Sequence, residues 1–273
     1  MKHYYLFNKP TNGGFYMTPR IVVIGAGGTG SQLLTGLARM MVALHSLRIT
    51  APEVVVCDPD TVSRANVGRQ LFSPSDIGQS KAFTLVNRIN QYFDLKWHAY
   101  YGAFSAEHAR TSSIYITCVD TRAARKEIYD IIKDKASYWL DLGNSNHSGQ
   151  VVLGNPDFCC RHHSDKKRFV LMPTVADLFP EILDTTLPDD DNTPSCSLAE
   201  ALVKQDLMVN QTVATHALEL LWQLLRNGEI SHHGFFFDNR NFSLQPLPVD
   251  PENWARLIKR AKKYRKSATA KAA

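Results

Sequence analysis

At 273 residues the chain has room for one large domain or two small ones, and its 44% hydrophobic and 21% charged residues suit a folded globular protein. No apolar run approaches the roughly 20 residues of a membrane span, and no export-type apolar stretch opens the chain, so a membrane protein is excluded and a cytoplasmic location is expected. Eight of the 31 Lys and Arg residues fall between positions 256 and 271 with no acid among them; the other 23 face 26 acids, so the net charge of +5 is a property of the C-terminal tail.

The predicted elements alternate between strand and helix. A β-branched run at residues 20–24 ends on glycine and reads as a buried parallel strand. Residues 31–47 follow with Leu33, Leu34, Leu37, Met40, Met41 and Leu44 on one helical stripe. Strands are expected at 53–57, 97–104, 113–119 and 138–142, and helices at 81–92 and 121–135. This alternation predicts an α/β fold: a Rossmann-like, mostly parallel sheet with flanking helices. A further strand is expected at 150–153, after which residues 155–192, rich in Asp, Pro, His and Lys, read as an irregular crossover segment. Residues 198–225 regain a helical pattern with a break expected near Asp206, and 235–237 with 242–247 read as C-terminal antiparallel strands. The expected organisation is one main domain over residues 1–250, carrying an insertion at about 155–196, and a basic tail over 251–273. That tail reads as a solvated helix; contact with nucleic acid or another polyanion is the lesser alternative.

Five cysteines, with no CxxC, point to reduced thiols. Cys57 and Cys118 lie in apolar, strand-like runs, and Cys159, Cys160 and Cys196 in polar segments.

The chemistry concentrates between residues 25 and 125. Gly25-Ala26-Gly27-Gly28-Thr29-Gly30 fits GxGxxG directly between a strand and a helix, where glycines let the backbone approach a phosphate that the helix N-terminus favours. Ser31 is placed to cap that helix. Alone the loop would suggest NAD. Asp58 or Asp60, at the end of the second strand, can accept hydrogen bonds from ribose hydroxyls. A polar block then follows, containing Asn66, Arg69, Gln70, Asp76 and Lys81, for which a dehydrogenase has no need.

Five motifs therefore occur in order: Gly-x-Gly-Gly-x-Gly from Gly25, Asp-x-Asp-x-Val from Asp58, Asn-x-x-Arg-Gln from Asn66, Asp-Ile-Gly-x-x-Lys from Asp76, and an Asp followed five residues later by Arg, at Asp120 and Arg125. Together they resemble the adenylation domain of the ThiF/MoeB/HesA and ubiquitin-activating-enzyme superfamily, most closely the ThiF-family proteins of PRTRC systems. The resemblance is good over residues 20–155 and weaker beyond. It implies an ATP-dependent adenylyltransferase that activates a carboxylate, the C-terminus of a small ubiquitin-like or sulfur-carrier protein or a small-molecule or tRNA-base acid, and that forms a homodimer. It also implies that Gly25, Gly27, Gly28 and Gly30 line the nucleotide pocket, that Asp58 or Asp60 holds the ribose, that Asn66, Arg69 and Lys81 contact phosphates with Gln70 nearby, and that Asp120 binds Mg²⁺. Arg69, Lys81 and Asp120 are then the catalytic set, and Cys196, just before a helix, is the candidate thiol for accepting the acyl group. Gln70 and Arg125 are equally readable as structural, and Asp120 as a helix cap.

Three departures from the family pattern stand out. The paired CxxC motifs of a structural zinc site are missing, and the crowded Cys159, Cys160, His162 and His163 do not match tetrahedral spacing, so zinc is not expected. The first nineteen residues contain no arginine to reach into a partner subunit. No ubiquitin-fold recruitment domain follows. The alternatives are a catalytically silent nucleotide-binding module and a NAD-dependent oxidoreductase.

Overall fold

The structure, a computed structural model, describes residues 1–4, 19–158, 170–189 and 197–272. Its first half comprises strands β1 (His3–Tyr4) and β2 (Arg20–Ile24), helix α1 (Gly28–Ser46), β3 (Glu53–Asp58), α2 (Lys81–Phe93), β4 (His98–Tyr101), β5 (Ser113–Thr117) and α3 (Arg122–Ile132). The second half contains β6 (Tyr138–Asn144), β7 (Ser148–Gly154), α4 (Val175–Leu178), α5 (Leu198–Lys204), α6 (Val209–Asn227), β8 (Glu229–Ile230), β9 (His232–Asp238), β10 (Ser243–Pro248) and α7 (Pro251–Ala272).

Eight strands form the main sheet in the order β10-β9-β7-β6-β5-β2-β3-β4. The run from β6 to β4 is parallel, and β7, β9 and β10 add to it antiparallel. The apolar runs of β2, β3 and β5 are buried on both faces, as central parallel strands require. From β2 the chain moves one way to β3 and β4, then returns to the other side of β2 for β5 and β6. Right-handed crossovers therefore place α1 and α2 on one face and α3 on the other. The α1 stripe from Leu33 to Leu44 is buried and packs against α6.

The α/β reading thus holds, with shifts at element ends. The first helix starts at Gly28 because the Gly27 carbonyl already accepts the Ser31 N–H at 3.0 Å. Ser31 is consequently not the cap: it lies inside the helix, its Oγ donating to the Gly28 carbonyl at 3.1 Å and accepting the Leu71 N–H at 3.3 Å. Asp120 does not cap α3 either; Thr121 does, accepting the Ala124 N–H. The expected break near Asp206 falls between α5 and α6, where the Asp206 N–H is diverted to the Asn146 carbonyl.

The crossover segment is more ordered than its composition suggests. Asn155 is fully buried, donating to the Ser137 carbonyl and accepting the Met172 N–H, each at 2.8 Å. Thr174 and Asp177 cap α4 reciprocally. Cys159, Cys160, His162, His163 and Cys196 lie outside the described residues. Helix α7 docks through buried Trp254 and Ala261 against α4 and the turn at Pro180–Leu183. No described helix is long and apolar enough to cross a membrane.

Trp254 also fixes a buried histidine. Its indole N–H donates to His233 Nε2 at 2.9 Å, while His233 Nδ1 meets the Leu153 carbonyl at 2.7 Å. Tryptophan only donates, so Nε2 is the acceptor, Nδ1 carries the proton and the ring is neutral. Burial brings the His233 pKa down to about 4, and that of His3 likewise. Between pH 6.5 and about 4 the unfolded chain therefore binds more protons than the folded one, so this stabilisation is complete above 6.5 and is lost as pH falls through the window. We expect the urea midpoint to drop across that range, and to drop less steeply in His233→Gln; parallel curves for the two proteins would contradict this account.

Candidate functional site

The carboxyl ends of β2, β3 and β5 meet where the strand order reverses, the crevice in which open α/β sheets bind ligands. The turn leaving β2 is sterically fixed. Gly25 adopts φ +97°, and a Cβ there would sit 2.7 Å from the Cys118 carbonyl oxygen. A Cβ at Gly30 would lie 2.0 Å from the Gly25 oxygen. Beneath the turn, buried Asp58 accepts the Ala26 N–H at 2.5 Å and the Asp60 N–H at 2.8 Å. Burial raises the Asp58 carboxyl above its usual range, opposed by those two N–H donors and by the Lys81 charge.

Around this turn lies a cavity of about 1010 Å³. Gly25, Gly27, Gly28, Asp58, Asp60, Asn66, Arg69, Gln70, Lys81 and Asp120 all line it, so the crevice brings together ten of the twelve positions singled out in the sequence. Gly30 does not; it is where the helix crosses the turn. Cys196 lies outside the described residues.

Short polar turns position the cations. Ser63 and Asn66 cap the Arg64–Asn66 turn reciprocally, with Asn66 Oδ1 accepting the Ser63 N–H at 2.8 Å. This turn carries Arg69, whose Nε reaches the Ala65 carbonyl at 3.3 Å. The guanidinium is half-buried, and burial lowers its pKa while the nearby Asp120 charge opposes that shift. Lys81 opens α2 almost fully buried, with Nζ 2.8 Å from the Asp60 carboxylate. Gln70 is buried and its Oε1 has no hydrogen-bond partner.

Arg125 proves structural. Its Nε meets Asp141 at 2.8 Å in a buried pair, and its Nη2 holds the Val119 carbonyl at 2.8 Å, next to Asp120. Thr117 completes the arrangement by donating to Asp141 at 2.7 Å. Asp120 itself is exposed at the cavity rim.

A second wall was not visible in the sequence. Asn144 donates to Thr29 at 2.9 Å and to Asn210 at 2.7 Å, and Asn210 donates to Gln205 at 2.7 Å. These residues also line the cavity. No motif marks them, because the partners are brought together from β6, α1 and α6. A smaller cavity of about 360 Å³ adjoins the first, sharing Val119, Asp120, Asn144 and Ser145 and extending to Ile182, Asp189 and Phe236.

The residues fit a phosphate-bearing ligand and one hard cation. The glycine turn leaves backbone exposed, Arg69 and Lys81 supply positive charge, and the orphaned Gln70 oxygen lacks an acceptor's partner. Asp120 offers a carboxylate of the kind Mg²⁺ takes together with phosphate oxygens and water. Among the described residues no group of three His, Cys, Asp or Glu side chains forms a protein-only metal site. Of the described thiols, Cys57 is pushed up to about 11 by burial and Cys118 further still, which suits neither to nucleophilic work.

Sheet order, glycine turn and cation cluster together define a Rossmann-like α/β protein with its crevice at the switch point. Within that class the chain belongs to the ThiF family, whose match runs over residues 17–255. It is similar to the SUMO-activating enzyme subunit uba-2 of Caenorhabditis elegans, 30% identical over 141 residues, covering 49% of this chain and 23% of that protein. It is also similar to the ubiquitin-activating enzyme E1-like protein of Saccharomyces cerevisiae, 27% identical over 161 residues, 55% of this chain and 24% of that one. The chain thus spans about a quarter of the length of these curated relatives. A crystal structure of E. coli MccB with ATP aligns with TM-score 0.54 at 12% identity, over 85% of this chain and 64% of that chain, a likeness of fold.

The glycine crossing yields a direct test. Gly30→Ala should cost at least about 3 kcal/mol in chemical denaturation, because backbone rather than a movable side chain occupies the site. A melting curve unchanged from the parent would show that the turn relaxes freely.

Proposed function

We propose that this chain is an ATP-dependent adenylyltransferase that activates a carboxylate, the C-terminus of a small ubiquitin-like or sulfur-carrier protein. The observation that carries this reading is the convergence of Arg69, Lys81, Asn66 and Asp120 on one cavity at the glycine turn. A NAD enzyme would have no use for such a block, and a silent module no reason to keep it. Family membership and the activating enzymes among the relatives support the same reading.

In this reaction a carboxylate oxygen attacks the α-phosphorus of ATP. The bond to the bridging oxygen breaks, and pyrophosphate leaves with the electron pair. Negative charge builds on the phosphoryl oxygens, so the protein's task is positioning and cationic stabilisation. Arg69 offers a planar fork to those oxygens, Lys81 a point charge once phosphate competes with Asp60, and Asn66 an amide donor. Asp58 keeps the glycine turn in place, leaving the more exposed Asp60 nearer the ribose role. A Mg²⁺ ion, when bound, would be held by Asp120 and would neutralise phosphate charge. The second cavity gives the carboxylate a route to Asp120. Transfer to Cys196 is the second step of the same proposal: its thiolate attacks the acyl carbon and AMP leaves.

Two variants test the first step. Asp120→Ala should reduce ATP–pyrophosphate exchange by at least about 100-fold with little change in melting temperature, since the side chain is exposed; exchange at the parental rate would remove the residue from the mechanism. Gln70→Leu discards an unpartnered buried oxygen, so the unliganded protein should be as stable as the parent or more so, while ATP affinity falls about tenfold. A destabilised variant with intact ATP binding would assign Gln70 to structure instead.

A further inference from the structure

Helix α7 exposes Arg256, Lys259, Arg260, Lys262, Lys263 and Lys266, and none of the six has an ion-pair partner among the described residues. Three pairs sit at i,i+4 spacing: Arg256 with Arg260, Lys259 with Lys263, and Lys262 with Lys266. Like charges at that spacing oppose helix formation. The helix carries this repulsion without an acid to relieve it, which calls for an anion from outside.

The helix is also held at a particular place. Trp254 and Ala261 bury one face, Tyr264 donates to the Asp184 carboxylate, and Arg265 donates to the Ala176 carbonyl at 2.8 Å. The chain segment that receives it also lines the second cavity, through Ile182 and Asp189. Arg122 braces that segment by donating to the Glu181 and Pro188 carbonyls. The cationic surface and the passage leading to Asp120 are therefore built on one short stretch of chain.

We propose that helix α7 is a docking surface for an acidic face of the carboxylate-bearing protein, holding it beside the second cavity while its tail reaches Asp120. This rests on the adenylation reading above. A protein fits better than a nucleic acid: outside residues 256–271 the chain has 23 bases against 26 acids, so a long phosphate backbone leaving the helix would run onto an acidic surface. A compact acidic face needs only the helix. Long-range attraction of this kind raises encounter rate and fixes orientation without entering the chemistry.

The test uses the full chain and two fluorescent probes, a glutamate-rich peptide with a free C-terminal carboxylate and a DNA duplex, at about 150 mM salt. Anisotropy should show the peptide binding the parent protein more tightly than the duplex, with at least about a tenfold loss in the K259E/R260E/K262E/K263E variant. The corresponding glutamine quartet should show a smaller loss and guards against a folding defect. The affinity for ATP should be unchanged in both. Equal peptide binding by parent and variants, or tighter binding of the duplex, overturns the docking proposal. Pyrophosphate exchange driven by the same peptide separates the two readings: binding that depends on α7 without exchange sinks adenylation of this carboxylate, whereas exchange whose KM is the same in the parent and both variants sinks the docking.

Discussion

The crevice depends on one hydrogen bond, from the Ala26 N–H to the buried carboxylate of Asp58. It ties the turn after β2 to the end of β3, with Gly25 pressed against the Cys118 carbonyl beyond β5. Three strand ends are thereby locked together. Gly30 then brings α1 into backbone contact with the turn, where only a hydrogen fits. The floor of the cavity is rigid because its parts exclude every looser arrangement, and rigid support is what a binding site needs from its scaffold.

Above that floor the polar groups are incompletely used. Gln70 keeps a buried oxygen without a donor, and Lys81 rests on the exposed Asp60, a contact that competing phosphate can displace. A fold selected for stability alone would satisfy such groups internally. The pair of Arg125 and Asp141 shows the contrast: it is buried, well connected and directed at the backbone beside Asp120 rather than at the cavity. The two arginines therefore divide the work, one facing the crevice and the other holding its rim.

Much of this was legible in the sequence because the signals are local. Strands β2, β3 and β5 announce themselves as β-branched runs, and α1 by its apolar stripe. The pause between α5 and α6 was visible at Asp206. Cap assignments failed where a neighbour competes: Ser31 lost the cap to a helix that begins inside the glycine turn, and Thr121 rather than Asp120 faces the Ala124 N–H. The wall formed by Thr29, Asn144, Gln205 and Asn210 could not be read, since its bonds span up to 181 residues and each amide alone resembles a surface residue. The anchoring of the basic helix was hidden for the same reason, because the pairing of Trp254 with His233 leaves no periodic trace.

The central claim is that the crevice holds a nucleoside triphosphate with its α-phosphorus within reach of an incoming carboxylate. A crystal structure of the protein with a non-hydrolysable ATP analogue and Mg²⁺ tests this most directly. The account predicts the analogue against the glycine turn, its phosphates toward Arg69 and Lys81 and its metal beside Asp120. A nucleotide bound elsewhere, or a crevice closed by its own side chains in the presence of the analogue, would contradict it.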